Sequence, residues 1–135
     1  MYVLNCLKGV PYSDAVSEVE SLMKSFDLVD RRNNAVTDLS GGEKRKVSVA
    51  IAVCGGSKFI ALDEPTAGMD VDARRKLWDL LGTLRQGRTV LLTTHYMDEA
   101  EVLGDRIAII AKGKMQCIGS TQVLSCLVSL LLCTM

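Results

Sequence analysis

Hydrophobic residues recur with a helical period in three stretches of the chain. The first stretch begins at Ser13, which we expect to be the N-cap of a helix. Its apolar stripe consists of Ala15, Val19, Leu22, Met23 and Phe26. A second helix is predicted from Ser40 to the Gly55–Gly56 pair, and a third carries leucines at positions 77, 80, 81 and 84 before it ends at Gly87.

Two short apolar runs have the composition of strands. Phe59–Leu62 stops at an acidic turn, and because the run is apolar throughout, we expect it to be buried on both faces. Val90–Thr93 follows the third helix, so strand, helix and strand form a βαβ unit. Further along, the pattern predicts a short helix at Asp98–Leu103 and strands at Ile107–Ile110 and Met115–Ile118. Together these elements predict an α/β fold.

Length and charge limit the classes of protein to consider. The chain has 135 residues, enough for one small domain. Its 16 basic and 16 acidic residues leave no net charge at pH 7, so no binding to nucleic acid is expected. We expect residues 125–135 to form an atypical apolar tail. Because this stretch is shorter than the roughly 20 residues that a membrane-spanning helix needs, we predict no transmembrane segment in this chain.

Residues that could take part in catalysis or ligand binding follow both strands of the βαβ unit. A right-handed crossover makes the strands parallel, so their carboxyl ends open onto the same edge of the sheet, where α/β folds bind ligands. We expect Asp63, Glu64 and His95 to lie together there. The first carboxylate could hold Mg²⁺ while the second orients or deprotonates a water molecule. The alternative is an acidic turn together with a half-buried, hydrogen-bonding histidine.

The segment Ser40-Gly41-Gly42-Glu43 is a second candidate site. Ser with Glu three positions later fits a capping box, and the glycines leave backbone N–H groups bare, so this helix start attracts anions. Plain capping is the alternative. The phosphate-binding pattern Gly-x4-Gly-Lys-Ser/Thr occurs nowhere in the chain. The nearest match, Gly82 to Thr89, runs from a helix into a strand, which is the reverse of a phosphate-binding loop.

Taken in order, these stretches resemble the nucleotide-binding domain of ATP-binding cassette (ABC) transporters. Leu39–Glu43 resembles the signature motif of that family, and Phe59–Glu64 resembles its Walker B strand with the catalytic glutamate. Ala67–Asp70 matches the D-loop, and Thr93–His95 matches the switch histidine. The sequence between these motifs is most similar to the A subfamily, whose characterised members mainly move lipids.

The resemblance implies a P-loop NTPase-like fold, with a partial parallel sheet, flanking helices and part of the ABC helical subdomain. It covers residues 1–124 as a partial nucleotide-binding domain. Within it, residues 1–56 are the helical subdomain with the signature motif, and residues 57–119 are the core from Walker B to the H-loop. Residues 125–135 no longer resemble the family.

The resemblance also implies catalytic roles and cofactors. Glu64 acts on the attacking water, His95 contacts the γ-phosphate of ATP, and Asp63 acts on Mg²⁺. The implied cofactors are therefore ATP and Mg²⁺. Two substitutions depart from the family: Glu43 stands where many members have Gln, and Val71 stands where the D-loop is usually followed by Pro. Neither substitution removes a phosphate contact.

Further implied contacts lie at an interface between two domains. Ser40 and Gly42, within the motif that also contains Gly41 and Glu43, would hold the γ-phosphate of an ATP seated on a second nucleotide-binding domain. Asp70 would reach across the same head-to-tail interface. The implied partners are that second domain and the transmembrane domains of a transporter, which place the chain at the cytoplasmic face of a membrane.

The functional expectation is that the complete protein binds and hydrolyses ATP to drive transmembrane transport, with a lipid as the cargo. In the family, the Walker A loop and the glutamine loop precede the motifs found here, and this chain begins too late to contain either. We therefore expect no catalysis by the isolated chain. The alternative is a truncated, inactive fragment, or an interaction module that acts only through a partner nucleotide-binding domain.

Overall fold

A computed structural model describes residues 1–122, so the apolar tail predicted at 125–135 lies outside the described residues. The chain forms two compact units, Met1–Thr93 and a second unit that begins at Thr94. Both units contain helices and strands, which confirms the α/β class. The domain boundaries derived from the sequence, 1–56 and 57–119, stay a prediction.

Helices dominate the first half of the first unit. They are α1 (Tyr2–Leu7), α2 (Tyr12–Ser25) and α3 (Gly41–Val53), with short 3₁₀ turns at Val29–Arg31 and Val36–Asp38 between α2 and α3. Helix α2 packs against α1 and against the first 3₁₀ turn. Four of the five predicted stripe residues of this region are buried, which confirms the helical period.

The start of α2 differs from the prediction. Its N-cap is Pro11 rather than Ser13, and the helix begins at Tyr12. The Pro11 carbonyl accepts hydrogen bonds from the N–H groups of Asp14 and Ala15, at 3.1 and 2.9 Å. The proline ring fixes φ, which is −56° here, and so prepares the chain for a helical turn. The Ser13 hydroxyl instead donates to the Asp14 carboxylate at 3.1 Å.

A parallel pair of strands follows α3 in the first unit. Strands β1 (Phe59–Asp63) and β2 (Thr89–Thr93) are joined by α4 (Val71–Leu84), and Asp63 lies opposite Thr93 in the register. This pairing confirms the predicted βαβ unit and the partial parallel sheet. It also brings the carboxyl ends of both strands to one edge.

The burial of β1 corrects one expectation. Ile60 and Leu62 are buried, whereas Phe59 is 60% exposed and Ala61 is also exposed. Successive side chains of a strand point to opposite faces, so within the described residues only one face of β1 is covered. The prediction of burial on both faces is therefore wrong, because an apolar run by itself does not report how many faces are packed.

The hydrophobic core of the first unit lies among α2, α3, β1 and α4. Helix α3 packs against both β1 and α4. The buried apolar residues are Ala15, Val19, Leu22, Phe26, Leu28, Leu39, Val49, Ala50, Val53, Cys54, Ile60, Leu62, Leu77 and Leu81. Because Leu39 immediately precedes Ser40, the core anchors the segment that begins α3.

The second unit consists of a short helix and a hairpin. Helix α5 (Met97–Leu103) precedes the antiparallel strands β3 (Arg106–Ala111) and β4 (Lys114–Ser120). These elements confirm the helix and both strands predicted in this region. The connecting residues Lys112 and Gly113 have φ values of 51° and 71°, as a tight hairpin turn requires.

Candidate functional site

The start of α3 is a complete capping box. Ser40 is the N-cap, and its hydroxyl oxygen accepts a hydrogen bond from the Glu43 N–H at 3.2 Å. The Glu43 carboxylate reaches back, where Oε2 accepts from the Ser40 N–H at 2.8 Å. Two backbone donors of the first turn are thereby satisfied reciprocally. The predicted capping box is confirmed, and its function beyond capping stays a prediction.

The two glycines of this turn have no packing reason to be glycine. A Cβ atom added to Gly41 or to Gly42 would meet no heavy atom within 4 Å. Glycine inside a helix costs roughly 1 kcal/mol relative to alanine, so two glycines in the first turn weaken α3. They leave a bare strip of backbone at the positive end of the helix dipole, a surface that a phosphate group can approach closely.

Glu43 is held as a carboxylate by a neighbouring cation. The Arg31 Nε–H donates to Glu43 Oε1 at 2.7 Å, and this contact, followed by the hydrogen bonds from Ser40, lowers the pKa of Glu43 to about 2. The same contact raises the pKa of Arg31. Since Glu43 is ionised at neutral pH, the hydrogen bond from the Ser40 N–H to its carboxylate is charge-assisted.

A shallow cleft lies beside the start of α3. It has a volume of about 320 Å³. Its lining residues are Gly41, Lys44, Arg45, Ser48, Ala67 and Gly68. The structure thus brings the first turn of α3 next to the predicted D-loop. The only charged side chains in this lining are cationic, which suits an anionic ligand.

The carboxyl ends of β1 and β2 form the second candidate region. The Thr93 hydroxyl donates to Asp63 Oδ1, and the Glu64 N–H donates to the Thr93 carbonyl at 2.9 Å. Asp63 is exposed and Glu64 is half-buried. The structure therefore brings the Asp63 carboxylate together with the Thr93 hydroxyl at the strand edge, and the backbone of Glu64 is hydrogen-bonded beside them.

Mg²⁺ prefers oxygen ligands and usually binds proteins through one or two carboxylates, completing its shell with water and substrate phosphates. The Asp63 carboxylate and the Thr93 hydroxyl supply oxygen donors of that kind, so the residues present fit the ion. Within residues 1–122, no group of three or more His, Cys, Asp or Glu side chains could hold a metal by itself. A phosphate-bridged Mg²⁺ needs no such group.

Glu64 has an unusual backbone conformation. Its φ is 44°, in the left-handed region that L-residues seldom adopt. The Glu64 carbonyl accepts from the Ala67 N–H at 3.1 Å, which begins the turn that leads to Asp70. Strain of this kind is typical of functional turns, where the surrounding structure maintains it.

Asp70 is the N-cap of α4. Its Oδ1 accepts a hydrogen bond from the Ala73 N–H at 2.9 Å, and this bond lowers the pKa of Asp70. The carboxylate is therefore charged at neutral pH and is exposed at the helix start. Its structural role is capping, and its predicted reach across an interface is untested.

His95 lies in the second unit. It is exposed, and its ring stacks on the ring of Tyr96 with a centroid distance of 4.1 Å and an interplanar angle of 37°. The predicted grouping of His95 with Asp63 and Glu64 stays a prediction.

Three functional candidates were missed by reasoning from the sequence. Arg31 pairs with Glu43, and Lys44 and Arg45 line the cleft beside α3. The glutamate at position 43 was a usable signal, because a charged residue where many family members have glutamine favours a cationic partner. The sequence contained no signal that would identify Arg31, rather than Arg32, as that partner.

Comparison with known proteins agrees with this architecture. The sequence model of the ABC transporter family matches residues 5–67. ATP-binding cassette sub-family A member 17 of Rattus norvegicus is 51% identical over 120 residues, which are 89% of this chain and 7% of that protein. The phospholipid-transporting ATPase ABCA3 of the same species is 50% identical over 121 residues, which are 90% of this chain and 7% of that protein.

A human protein shows the same degree of similarity. The retinal-specific phospholipid-transporting ATPase ABCA4 of Homo sapiens is 51% identical over 114 residues, which are 84% of this chain and 5% of that protein. The chain therefore spans between 5% and 7% of the length of these curated relatives.

The parallel βαβ unit, together with these similarities, defines a P-loop NTPase-like α/β domain. The chain belongs to the ABC transporter family, and its similarity is to sub-family A. Among the helices that the structure describes, none is both long enough and apolar enough to cross a membrane.

Proposed function

We propose that this chain is part of the ATPase domain of a sub-family A transporter, which in the complete protein binds and hydrolyses MgATP to drive the transport of a phospholipid. The observation that carries the proposal is the glycine turn at the start of α3. Gly41 and Gly42 weaken the helix, and no neighbouring atom lies where their side chains would be. Packing does not explain why these two residues are glycines, whereas the close approach of a phosphate ligand to their backbone would.

The glycine turn would hold the γ-phosphate of ATP. Ser40 supplies a hydroxyl group, Gly42 supplies a bare N–H group, and the helix dipole favours a negative charge at this end. Lys44 and Arg45 line the adjacent cleft and would add positive charge. The phosphate would belong to an ATP seated on a second nucleotide-binding domain, arranged head to tail, with Asp70 reaching across the same interface.

The strand-end carboxylates would perform the hydrolytic chemistry. Asp63 would hold Mg²⁺, which neutralises the charge on the transferred phosphoryl group when bound. Glu64 would orient and deprotonate the attacking water, and His95 would contact the γ-phosphate. The hydrogen bond from the Thr93 hydroxyl to the Asp63 carboxylate supports the first role. The position of Glu64 at the end of β1, where its N–H donates to the Thr93 carbonyl, supports the second.

The relatives suggest the cargo and the location. Two of them are named phospholipid-transporting ATPases, and this chain shares about half of its matched residues with each. We propose that the chain works at the cytoplasmic face of a membrane, attached to the transmembrane domains of a transporter. The transported molecule would be recognised by those domains.

A chimaeric transporter tests the enzymatic proposal. The matched residues of rat ABCA3 are replaced by those of this chain, and ATP hydrolysis is measured in reconstituted vesicles. We expect the chimaera to hydrolyse ATP, and we expect Glu64→Gln to abolish turnover. Asp79→Asn on the exposed surface of α4 is the control and should leave turnover unchanged. Full turnover in the Glu64→Gln chimaera would refute the proposed catalytic role.

A second candidate function is that of an interaction module, favoured by the exposed glycine turn and its cationic cleft. A polypeptide of these 135 residues would bind an ATP-loaded, complete nucleotide-binding domain and change its rate of hydrolysis. The polypeptide alone should show no ATP turnover above background, because it contains no Gly-x4-Gly-Lys-Ser/Thr sequence. Ser40→Arg should abolish the effect on the partner domain. An unchanged effect would exclude the glycine turn as the contact surface.

A further inference from the structure

Two adjacent arginines in the first 3₁₀ turn region pair with carboxylates on different helices. The Arg32 guanidinium donates to Glu20 Oε1 on α2, whereas the Arg31 Nε–H donates to Glu43 Oε1 on α3 at 2.7 Å. The turn itself is anchored by the neighbouring Leu28, which is buried. Each arginine therefore makes its own ion pair, Arg32 with the body of α2 and Arg31 with the first turn of α3.

Glu43 divides its two carboxylate oxygens between two partners. Oε1 accepts from Arg31, while Oε2 accepts from the Ser40 N–H at 2.8 Å. A glutamate in a capping box must hold a long side chain in one conformation, which costs rotamer entropy. The contact with Arg31 selects the conformation in which the other oxygen already faces the Ser40 N–H.

The contribution of this ion pair is to geometry more than to stability. The side chains of Arg31 and Glu43 are 49% and 23% exposed, and ion pairs at such surfaces add little to the free energy of unfolding. The turn that they fix, however, contains Gly41 and Gly42, which lower the helical propensity of the first turn. A contact from outside the helix has the largest effect on its geometry where the helical propensity of the residues themselves is low.

We propose that Arg31 is a positioning residue for the glycine turn, because its guanidinium holds the Glu43 carboxylate in the conformation that orients the bare N–H groups toward an anionic phosphate. This inference rests on the proposed function of the turn as a phosphate contact. Arg31 is not among the residues that line the cleft beside α3, and it acts through Glu43. The low pKa of Glu43 agrees with this arrangement.

The positioning role of the Arg31–Glu43 ion pair, called the clamp below, can be tested on the full chain without any partner. Amide hydrogen exchange is measured by NMR at Ser40 and Glu43 in the wild-type chain, in Arg31→Ala and in Arg31→Lys. We expect Arg31→Ala to reduce protection at both amides by roughly 3- to 10-fold, the range for weakening one such hydrogen bond. Arg31→Lys should restore part of it, since an ammonium group provides the charge but not the fixed fork of donors.

Arg32→Ala is the matched control, since it removes an ion pair of the same kind from the adjacent residue. It should leave exchange at Ser40 and Glu43 unchanged. The carboxylate resonance of Glu43 provides a second readout, because its pKa should rise toward the ordinary glutamate value in Arg31→Ala but not in Arg32→Ala. Unchanged protection and an unchanged Glu43 pKa in Arg31→Ala would overturn the positioning role.

Association with an ATP-loaded, complete nucleotide-binding domain of rat ABCA3 tests the functional consequence. We expect Arg31→Ala to weaken ATP-dependent association by roughly 3- to 10-fold, matching the loss of protection, and Arg31→Lys to recover part of it. Equal affinity in Arg31→Ala and wild type, despite reduced protection, would overturn the inference. Failure of the wild-type chain to associate would instead refute the proposed phosphate contact, and with it the functional role of the clamp.

Discussion

Substitutions of Ser40 separate the capping of α3 from the binding of phosphate. In Ser40→Ala the hydroxyl that accepts from the Glu43 N–H at 3.2 Å is lost. Loss of such a cap costs about 1 kcal/mol, with a range of roughly 0.5 to 2. For a chain of this size we expect a fall in melting temperature of about 3 to 6 °C. The effect is modest because Ser40 is exposed and water replaces the lost acceptor.

Ser40→Asp is the decisive substitution. Aspartate caps helices about as well as serine, and repulsion between its carboxylate and the solvent-accessible Glu43 carboxylate costs only a few tenths of a kcal/mol, so we expect the free energy of unfolding to change by roughly half a kcal/mol or less. Its carboxylate, however, would face the phosphate. Repulsion between two unit charges at about 4 Å is about 4 kcal/mol at the effective dielectric constant of a protein surface, enough to weaken binding by roughly 100-fold or more.

Two measurements on the same preparations test this reasoning. Urea unfolding reports the capping effect, and sedimentation with an ATP-loaded nucleotide-binding domain reports the phosphate contact. We expect Ser40→Ala to lose stability, and Ser40→Asp to keep its stability while losing ATP-dependent association. If the Ser40→Asp chain associates with the ATP-loaded domain as tightly as wild type does, the phosphate contact is refuted and plain capping is left as the function of the turn.

Three further predictions concern stability. Gly55→Ala should destabilise the chain by roughly 1 to 3 kcal/mol in urea unfolding, because the φ of Gly55 is +70° and the new Cβ would lie 2.6 Å from Lys8 Cδ. Gly56→Ala is the control: its φ is +64° but its Cβ would lie in open space, so it should show only the part of the loss that comes from the backbone. Leu81→Ala should cost about 2 to 5 kcal/mol in the same assay, since Leu81 is buried in the core, and a loss below 1 kcal/mol would contradict that packing. The lowered pKa of Glu43 stabilises the fold at pH values above the ordinary glutamate pKa near 4.5, and this stabilisation is lost as the pH falls toward about 2. The difference in urea midpoint between wild type and Glu43→Gln should therefore shrink as the pH is lowered across that range. A difference that stays constant would contradict the lowered pKa.

Features coded by short sequence patterns were predictable. The capping box follows from Ser40 and Glu43 three positions apart, and the βαβ unit follows from two apolar runs that flank a helical stripe. The N-cap of α2 was mistaken because Ser13 has the higher capping preference, whereas the fixed backbone of Pro11 decides where the helix starts.

Features that depend on tertiary contacts were not predictable. The pairing of Arg31 with Glu43 joins residues 12 positions apart across two elements, and no periodicity reports it. The one-sided burial of β1 depends on what packs against each face of the strand. The left-handed backbone of Glu64 also has no local signal, because glycine and asparagine, rather than glutamate, are the residues expected in that conformation.

The left-handed backbone of Glu64 places two selection pressures in opposition. Residues other than glycine and asparagine cost about 1 to 2 kcal/mol in that conformation, so Glu64→Gly and Glu64→Asn would relieve strain in the turn. A library of this chain sorted only for thermal resistance should therefore enrich changes that delete the very carboxylate proposed to activate water. Stability screening at this position would select against catalysis, and the persistence of glutamate in an evolving population would itself report that the chemistry is in use.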